Sequence, residues 1–153
     1  MNADAAEIRA RATEVLARRE HSRRELEQKL LRRGFDEPVV HGVLNELERA
    51  NLLSDARFAS AYVDSRAARG FGPLRIIAEL KQRGIDGAAR EAACDPAARE
   101  WLERAHQARR KRFGESAPAE FRERARQARF LIQRGFSRSH VSAALGDSLR
   151  DRR

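Results

Sequence analysis

An Arg-Gly-apolar tripeptide occurs at residues 33–35, 83–85 and 134–136, and each copy closes a stretch whose apolar residues have helical spacing. The three stretches are SRRELEQKLLRRGF at 22–35, GPLRIIAELKQRGI at 72–85 and ERARQARFLIQRGF at 123–136, with the tripeptides 50 and 51 residues apart. A fixed period of this size restricts the chain to a repeated supersecondary unit that completes its core against its neighbours. A unit of roughly 45 residues has only a marginal core on its own.

The first copy carries the fullest punctuation. Ser22 is placed to cap a helix, and Glu25 completes a capping box. Leu26 and Leu30 fall on one face with Leu31 beside them, and Gly34 can end the helix in the left-handed conformation. Phe35 then folds back as an apolar plug. Asp36 is the next N-cap, with Pro38 in the first turn, and Val39, Val40, Val43, Leu44 and Leu47 form a buried stripe. In the second copy Ser54 or Asp55 starts a helix presenting Phe58, Ala61, Tyr62 and Ser65. Pro73 opens the next helix, Ile76, Ile77 and Leu80 are its apolar set, and Gly84 closes it. Asp86 then caps a short alanine-rich helix over 87–94. The third copy opens at Asp95-Pro96 with a long helix, roughly 96–113, carrying Trp101, Leu102, Ala105 and Ala108. Phe121, Ala125, Ala128 and Ile132 mark the next helix. Ser137 caps the last, which holds Val141, Ala144, Leu145 and Leu149. No stretch alternates with a two-residue period. The expected fold is all-α, about nine helices in three tandem three-helix modules over 1–53, 54–94 and 95–153, elongated and curved.

Composition limits what such a fold can do. The single cysteine, Cys94, excludes an internal disulfide, and the four histidines have no ligand spacing with it. The N-terminal stretch has no apolar signal core and no apolar run spans a bilayer, so a cytoplasmic protein without a membrane segment is expected. No nucleophile elbow, phosphate-binding loop or HExxH motif is present. His21-Ser22 reads as a solvated histidine beside a capping serine, and Arg69-Gly-Phe-Gly-Pro73 as a helix–helix connection. Glu25/Glu27 and Glu46/Glu48 are two apart and point away from each other on a helix. Glu46–Arg49 and Glu120–Arg124 read as surface pairs, Cys94 as a structural thiol, and Trp101 and Tyr62 as core. Neither an enzyme, a cofactor nor a metal is expected.

The net charge of +9 is unevenly placed. Residues 1–53 carry ten basic and ten acidic side chains, residues 54–95 seven and six, and residues 96–153 fifteen and seven. The last segment therefore holds eight of the nine excess charges (15 − 7 = 8). Its candidate binding residues are Arg109, Arg110, Lys111 and Arg112 at one helix end, Arg122, Arg126 and Arg129 as a stripe on the next, then Arg134 and Arg138. Arginine forks onto phosphate and carboxylate alike, so nucleic acid and acidic protein are both open as partners. A solvated basic face is the plain alternative. A helix C-terminus favours cations, which explains part of 109–112, but the stripe at 122–129 gets no such help.

The stretch LARREHSRRELEQKLLRRGF at 16–35 resembles the opening of the RecX family. So does VLNELERANLLSDARFASAYVDSRAARGFGPLRIIAELKQRGI at 43–85, with its DARFA and GFGP elements in order. RRKRFG at 109–114 and RFLIQRGFSRSHVSAAL at 129–145 are similar to that family's third unit. The likeness runs over about residues 10–147. It implies three tandem three-helix modules and a non-enzymatic regulator of RecA. Such a regulator lies in the groove of the RecA–single-stranded-DNA filament and restrains filament extension, ATP hydrolysis, strand exchange and co-protease activity. It further implies weak direct DNA binding at most, and a monomer is expected. Arg69, Gly70, Gly72 and Pro73 match the middle module's pattern and are taken as scaffold. Asn51 replaces a usual glycine and keeps the turn, since asparagine tolerates the left-handed conformation. The 87–95 helix is shorter and poorer in large apolar residues than the family pattern. A stand-alone DNA-binding protein is the rival reading; it calls for a recognition helix with base-reading polar residues, and none stands out.

Overall fold

The computed structural model describes residues 3–146, and among them all regular structure is helical. The order is α1 (Ala3–Arg18), α2 (Arg23–Arg32), α3 (Glu37–Arg49), α4 (Asp55–Ala68), α5 (Pro73–Gln82), α6 (Gly87–Ala93), α7 (Glu100–Phe113), α8 (Phe121–Arg134) and α9 (Arg138–Ala144). Two compact units are present: residues up to Ala61 with Leu80–Ala93, and Tyr62–Glu79 with the chain from Cys94 onward.

In the first unit α1, α2 and α3 pack on one another. Their shared core is Ile8, Ala12, Leu26, Leu30, Val40, Val43, Leu44, Leu47 and Leu53. Phe35 and Val39 pack partly buried against it. The start of α2 is fixed twice. Ser22 Oγ accepts from Glu25 N–H at 3.1 Å, and Asp55 accepts from Arg23 N–H at 2.8 Å. The capping box is only half formed, because the Glu25 carboxylate turns to the Arg19 guanidinium in a forked pair of 3.0 and 2.7 Å. A charged donor outbids a backbone N–H for that carboxylate. Asp36 sits at the N-cap of α3 but makes no side-chain cap bond, whereas Ser54 caps α4 through Arg57 N–H. Asn51 has φ 60°, and its side chain accepts from Arg57, which suits asparagine to this turn. Glu46 pairs with Arg9 rather than Arg49, whose Nε bonds to its own helix at Asn45 O. Asp86 caps α6 through Ala89 N–H, and α6 contains no buried residue.

In the second unit α7, α8 and α9 pack pairwise. Trp101, Ala105, Leu131, Phe136, Val141, Ala144 and Leu145 are buried. α7 starts later than expected. Asp95 Oδ1 accepts from Ala97 N–H, Ala98 N–H returns to Asp95 O, and the Trp101 indole donates to the same carbonyl. These bonds hold 95–98 as a turn that competes with helix. The buried face of α4 also differs from expectation. Phe58, Ala59, Val63 and Ala67 are buried, while Ala61 and Ser65 are exposed and Tyr62 is half-buried. The GFGP segment docks by backbone: Gly72 N–H donates to Arg134 O at 2.7 Å and Leu74 N–H to Gly135 O at 2.9 Å. A Cβ on Gly72 would lie 2.4 Å from the Gly135 carbonyl carbon, and one on Gly135 the same distance from the Arg75 Cβ. Only glycine permits this approach. Ser137 caps α9 through His140 N–H. Leu149 lies outside the described residues.

Candidate anion-binding face

The fold sorts the nine candidate cations into different environments. Arg109 leaves the set. It is 3% exposed; Nη1 donates to Ser116 O and Gln127 Oε1, and Nη2 to Glu115 O. Its charge is spent tying α8 and the 115–116 loop to α7. Arg110 is partly neutralised by Glu103 at 3.1 Å and Glu115 at 4.0 Å, and Arg126 by Glu123 at 3.5 Å. Lys111, Arg112, Arg122 and Arg129 are exposed and have no carboxylate partner among the described residues. The expected stripe of Arg122, Arg126 and Arg129 therefore exists on the exposed face of α8, with its middle member paired. Arg138 is exposed beside a groove between α8 and α9 that Phe121, Val141 and Leu145 also line. Glu120 and Arg124 form no ion pair on the pattern expected; the Arg124 guanidinium donates to Pro118 O and Leu145 O.

Three rings organise the remaining arginines. Phe113 and Phe130 meet edge to face, centroids 5.3 Å apart and planes at 88°. Arg126 lies 5.1 Å from the Phe113 centroid, and Arg112 5.2 Å from Phe113 and 6.0 Å from Phe130. Arg134 lies between Phe130, at 5.0 Å, and Phe71, at 4.7 Å. Arg66 and Arg75 cover Phe71 at 3.8 and 4.5 Å. Glu79 holds Arg66 in a forked pair of 2.9 and 2.8 Å. Each such contact contributes about 0.5–1 kcal/mol when exposed, enough to bias a long flexible side chain toward one position. A pocket of 230 Å³ opens within this row, walled by Arg69, Lys111, Arg112 and Arg134 over Phe130 and Ala108. It has four cations and, among the described residues, no carboxylate, so it attracts anions.

Arg66, Arg69, Arg75, Phe71, Phe113 and Phe130 were not among the expected site residues. A signal for them exists: Phe71 stands between two glycines, outside any helical apolar stripe, with arginines at 66, 69 and 75. The remaining chemistry is quiet. Cys94 is buried and its thiol is pushed up to about 11 by burial, then by the nearby Asp95 charge, as suits a structural residue. Glu27, Glu37 and His41 bring their donor atoms within 4.8 Å of one another on the surface, where His41 bonds Glu27 at 3.2 Å. Among the described residues no helix is long and apolar enough to cross a membrane.

Three family profiles match the chain. The first three-helix domain of RecX matches residues 9–47, the second 54–93 and the third 98–145. A regulatory protein RecX of Halorhodospira halophila is 48% identical over 137 residues, covering 90% of this chain and 85% of that protein. One from Pseudomonas savastanoi pv. phaseolicola is 41% identical over 129 residues, covering 84% and 83%. The crystal structure of RecX from Lactobacillus salivarius superposes with a TM-score of 0.79 at 22% identity, covering 93% of this chain and 94% of that one.

Proposed function

Because this chain belongs to the RecX family of regulatory proteins, we propose that it binds the RecA–single-stranded-DNA filament, in its helical groove, and restrains filament extension, ATP hydrolysis, strand exchange and co-protease activity. The modules 1–53, 54–94 and 95–153 are the units that would engage successive protomers, several moderate contacts adding through their linkage. The observation that carries the reading is the arginine–phenylalanine row with its carboxylate-free pocket. Cations held against rings are already ordered before a partner arrives, so less freedom is lost on binding. A filament groove offers such a surface both phosphates and acidic side chains. The exposed stripe of Arg122, Arg126 and Arg129 extends the same unit's positive surface.

The test is RecA's ATP hydrolysis on single-stranded DNA with increasing amounts of this protein, with binding to bare DNA followed in parallel. Inhibition below one copy per RecA, with weak binding to bare DNA, is the expected result. The variant Lys111→Ala/Arg112→Ala should need about tenfold more protein for equal inhibition and show a shallower salt dependence. Absence of inhibition together with tight binding to bare DNA would replace this reading by a stand-alone DNA-binding protein.

A further inference from the structure

The N-terminal segment has no net charge, ten cations being matched by ten carboxylates. Its fold nevertheless separates the two signs. A groove of 660 Å³ between α1 and α2 is walled by Arg11, Arg18, Arg19, Lys29, Arg32 and Arg33, with Glu14 as the one carboxylate among the described residues and Val15 and Leu30 as apolar lining. That is the size of a small-ligand site. Arg19 is neutralised by Glu25, and Arg11 approaches Glu14 at 3.8 Å. Arg18, Arg32 and Arg33 are exposed and have no carboxylate partner among the described residues. Lys29 has no carboxylate either. Its ammonium donates to His21 Nε2 at 2.8 Å, and His21 Nδ1 donates to Arg19 O at 3.1 Å. His21 is 1% exposed, so the ammonium rests on a buried ring rather than swinging in solvent.

We propose that this groove is a second anion site, which takes a ligand bearing several linked phosphates. The proposal stands on the N-terminal unit's side chains and not on the face of α7 and α8. One carboxylate ligand would satisfy a single cation here, whereas a phosphate chain presents a charge and several acceptor oxygens at each link. Two sources share this chemistry, the backbone of a nucleic-acid strand and the phosphate tail of a free nucleotide.

The experiment is calorimetric titration of the full-length protein with magnesium-free tripolyphosphate, then with ATP and with a single-stranded oligonucleotide. The groove variant is Arg18→Ala/Arg32→Ala, both exposed positions, with Lys29→Met as a second variant. The control is Arg49→Ala/Lys81→Ala, which removes the same charge from exposed positions outside the groove lining. Tripolyphosphate should bind the native protein, bind the groove variants at least about tenfold more weakly, and bind the control as it binds the native chain. A parallel loss for the oligonucleotide but not ATP assigns the groove to a strand, and the reverse assigns it to nucleotides. No measurable tripolyphosphate binding, or an equal loss in the control, overturns the proposal. Inhibition of RecA by the groove variants is a separate readout, so failure here leaves the reading of the α7–α8 face intact.

Discussion

α2 and α8 are copies of one sequence pattern that run to the same Arg-Gly-Phe, over 10 and 14 residues of helix, yet they bury different chemistry. In α2 the inward positions are Leu26 and Leu30; in α8 they are Gln127 and Leu131. Aligned on the tripeptide, Gln127 stands where the first copy has Leu26 and the second Ile76, all three buried. The glutamine is satisfied on both sides, accepting from Arg109 and donating to Glu123 at 3.0 Å. Meanwhile Phe121 and Ile132 of α8 are 85% and 51% exposed. One copy is held by apolar burial that is insensitive to partner identity. The other is held by a polar arrangement in which each member requires the next.

The largest effect should come from the apolar copy. Leu30→Ala is expected to lower unfolding stability by about 2–5 kcal/mol, read from denaturant melts; a loss below about 1 kcal/mol would mean the α2 site collapses without a cavity. Next comes the polar copy. Gln127→Leu should cost about 1–3 kcal/mol by removing one of the three acceptors of the buried Arg109 guanidinium, and adding Arg109→Met should recover most of it. Independent, additive losses in that cycle would break the claim that the two residues form one unit.

A pH profile tests a smaller difference between the copies. Burial holds the His21 imidazole below its usual value, and the same cause acts at His140 in α9. A depressed histidine contributes stability that is present above its unfolded value near 6.5 and is lost as pH falls through the folded value. Melts at pH 7.5 and 5.5 should therefore show the protein weaker at the lower pH, and His21→Gln should flatten that slope. Glu25, held low first by its hydrogen bond from Arg19, loses its contribution only below the ordinary carboxylate range and does not confuse this window. The smallest effect belongs to the exposed apolar residues: Phe121→Ser or Ile132→Ser should change stability by no more than about 0.5 kcal/mol. A loss of several times that would show that they are covered in solution.

These residues also show what the sequence discloses. Helix ends were legible because glycine, serine and proline act locally: Gly34, Ser22 and Ser137 do what their chemistry dictates. The face of α8 was misread because hydropathy chose Phe121, Ala125, Ala128 and Ile132. The repeat register pointed to 127 and 131, and register was the better guide, since the unit's packing is inherited along the repeat while its polarity is not. The candidate site was legible as charge and not as geometry. Nothing local announces that Arg109 is buried, or that Phe71, forty and more residues from Phe113 and Phe130, shares Arg134 with Phe130. His21 was misjudged in the same way: its neighbours in sequence are polar, but the fold buries it between α1 and α2.

The docking of the GFGP segment has a consequence for synthesis. Gly72 finds its acceptor on Arg134, 62 residues later in the chain (134 − 72). At about 5–20 residues per second a ribosome takes roughly 3–12 s to supply it. For that interval Tyr62–Glu79 is a fragment without its own unit, its two backbone donors lacking their acceptors and its Phe71 ring lacking Arg134. The first three helices owe nothing to this delay. The nascent chain thus presents a finished N-terminal bundle followed by a segment waiting in the open, and that waiting segment is where a chaperone or a protease would find its target.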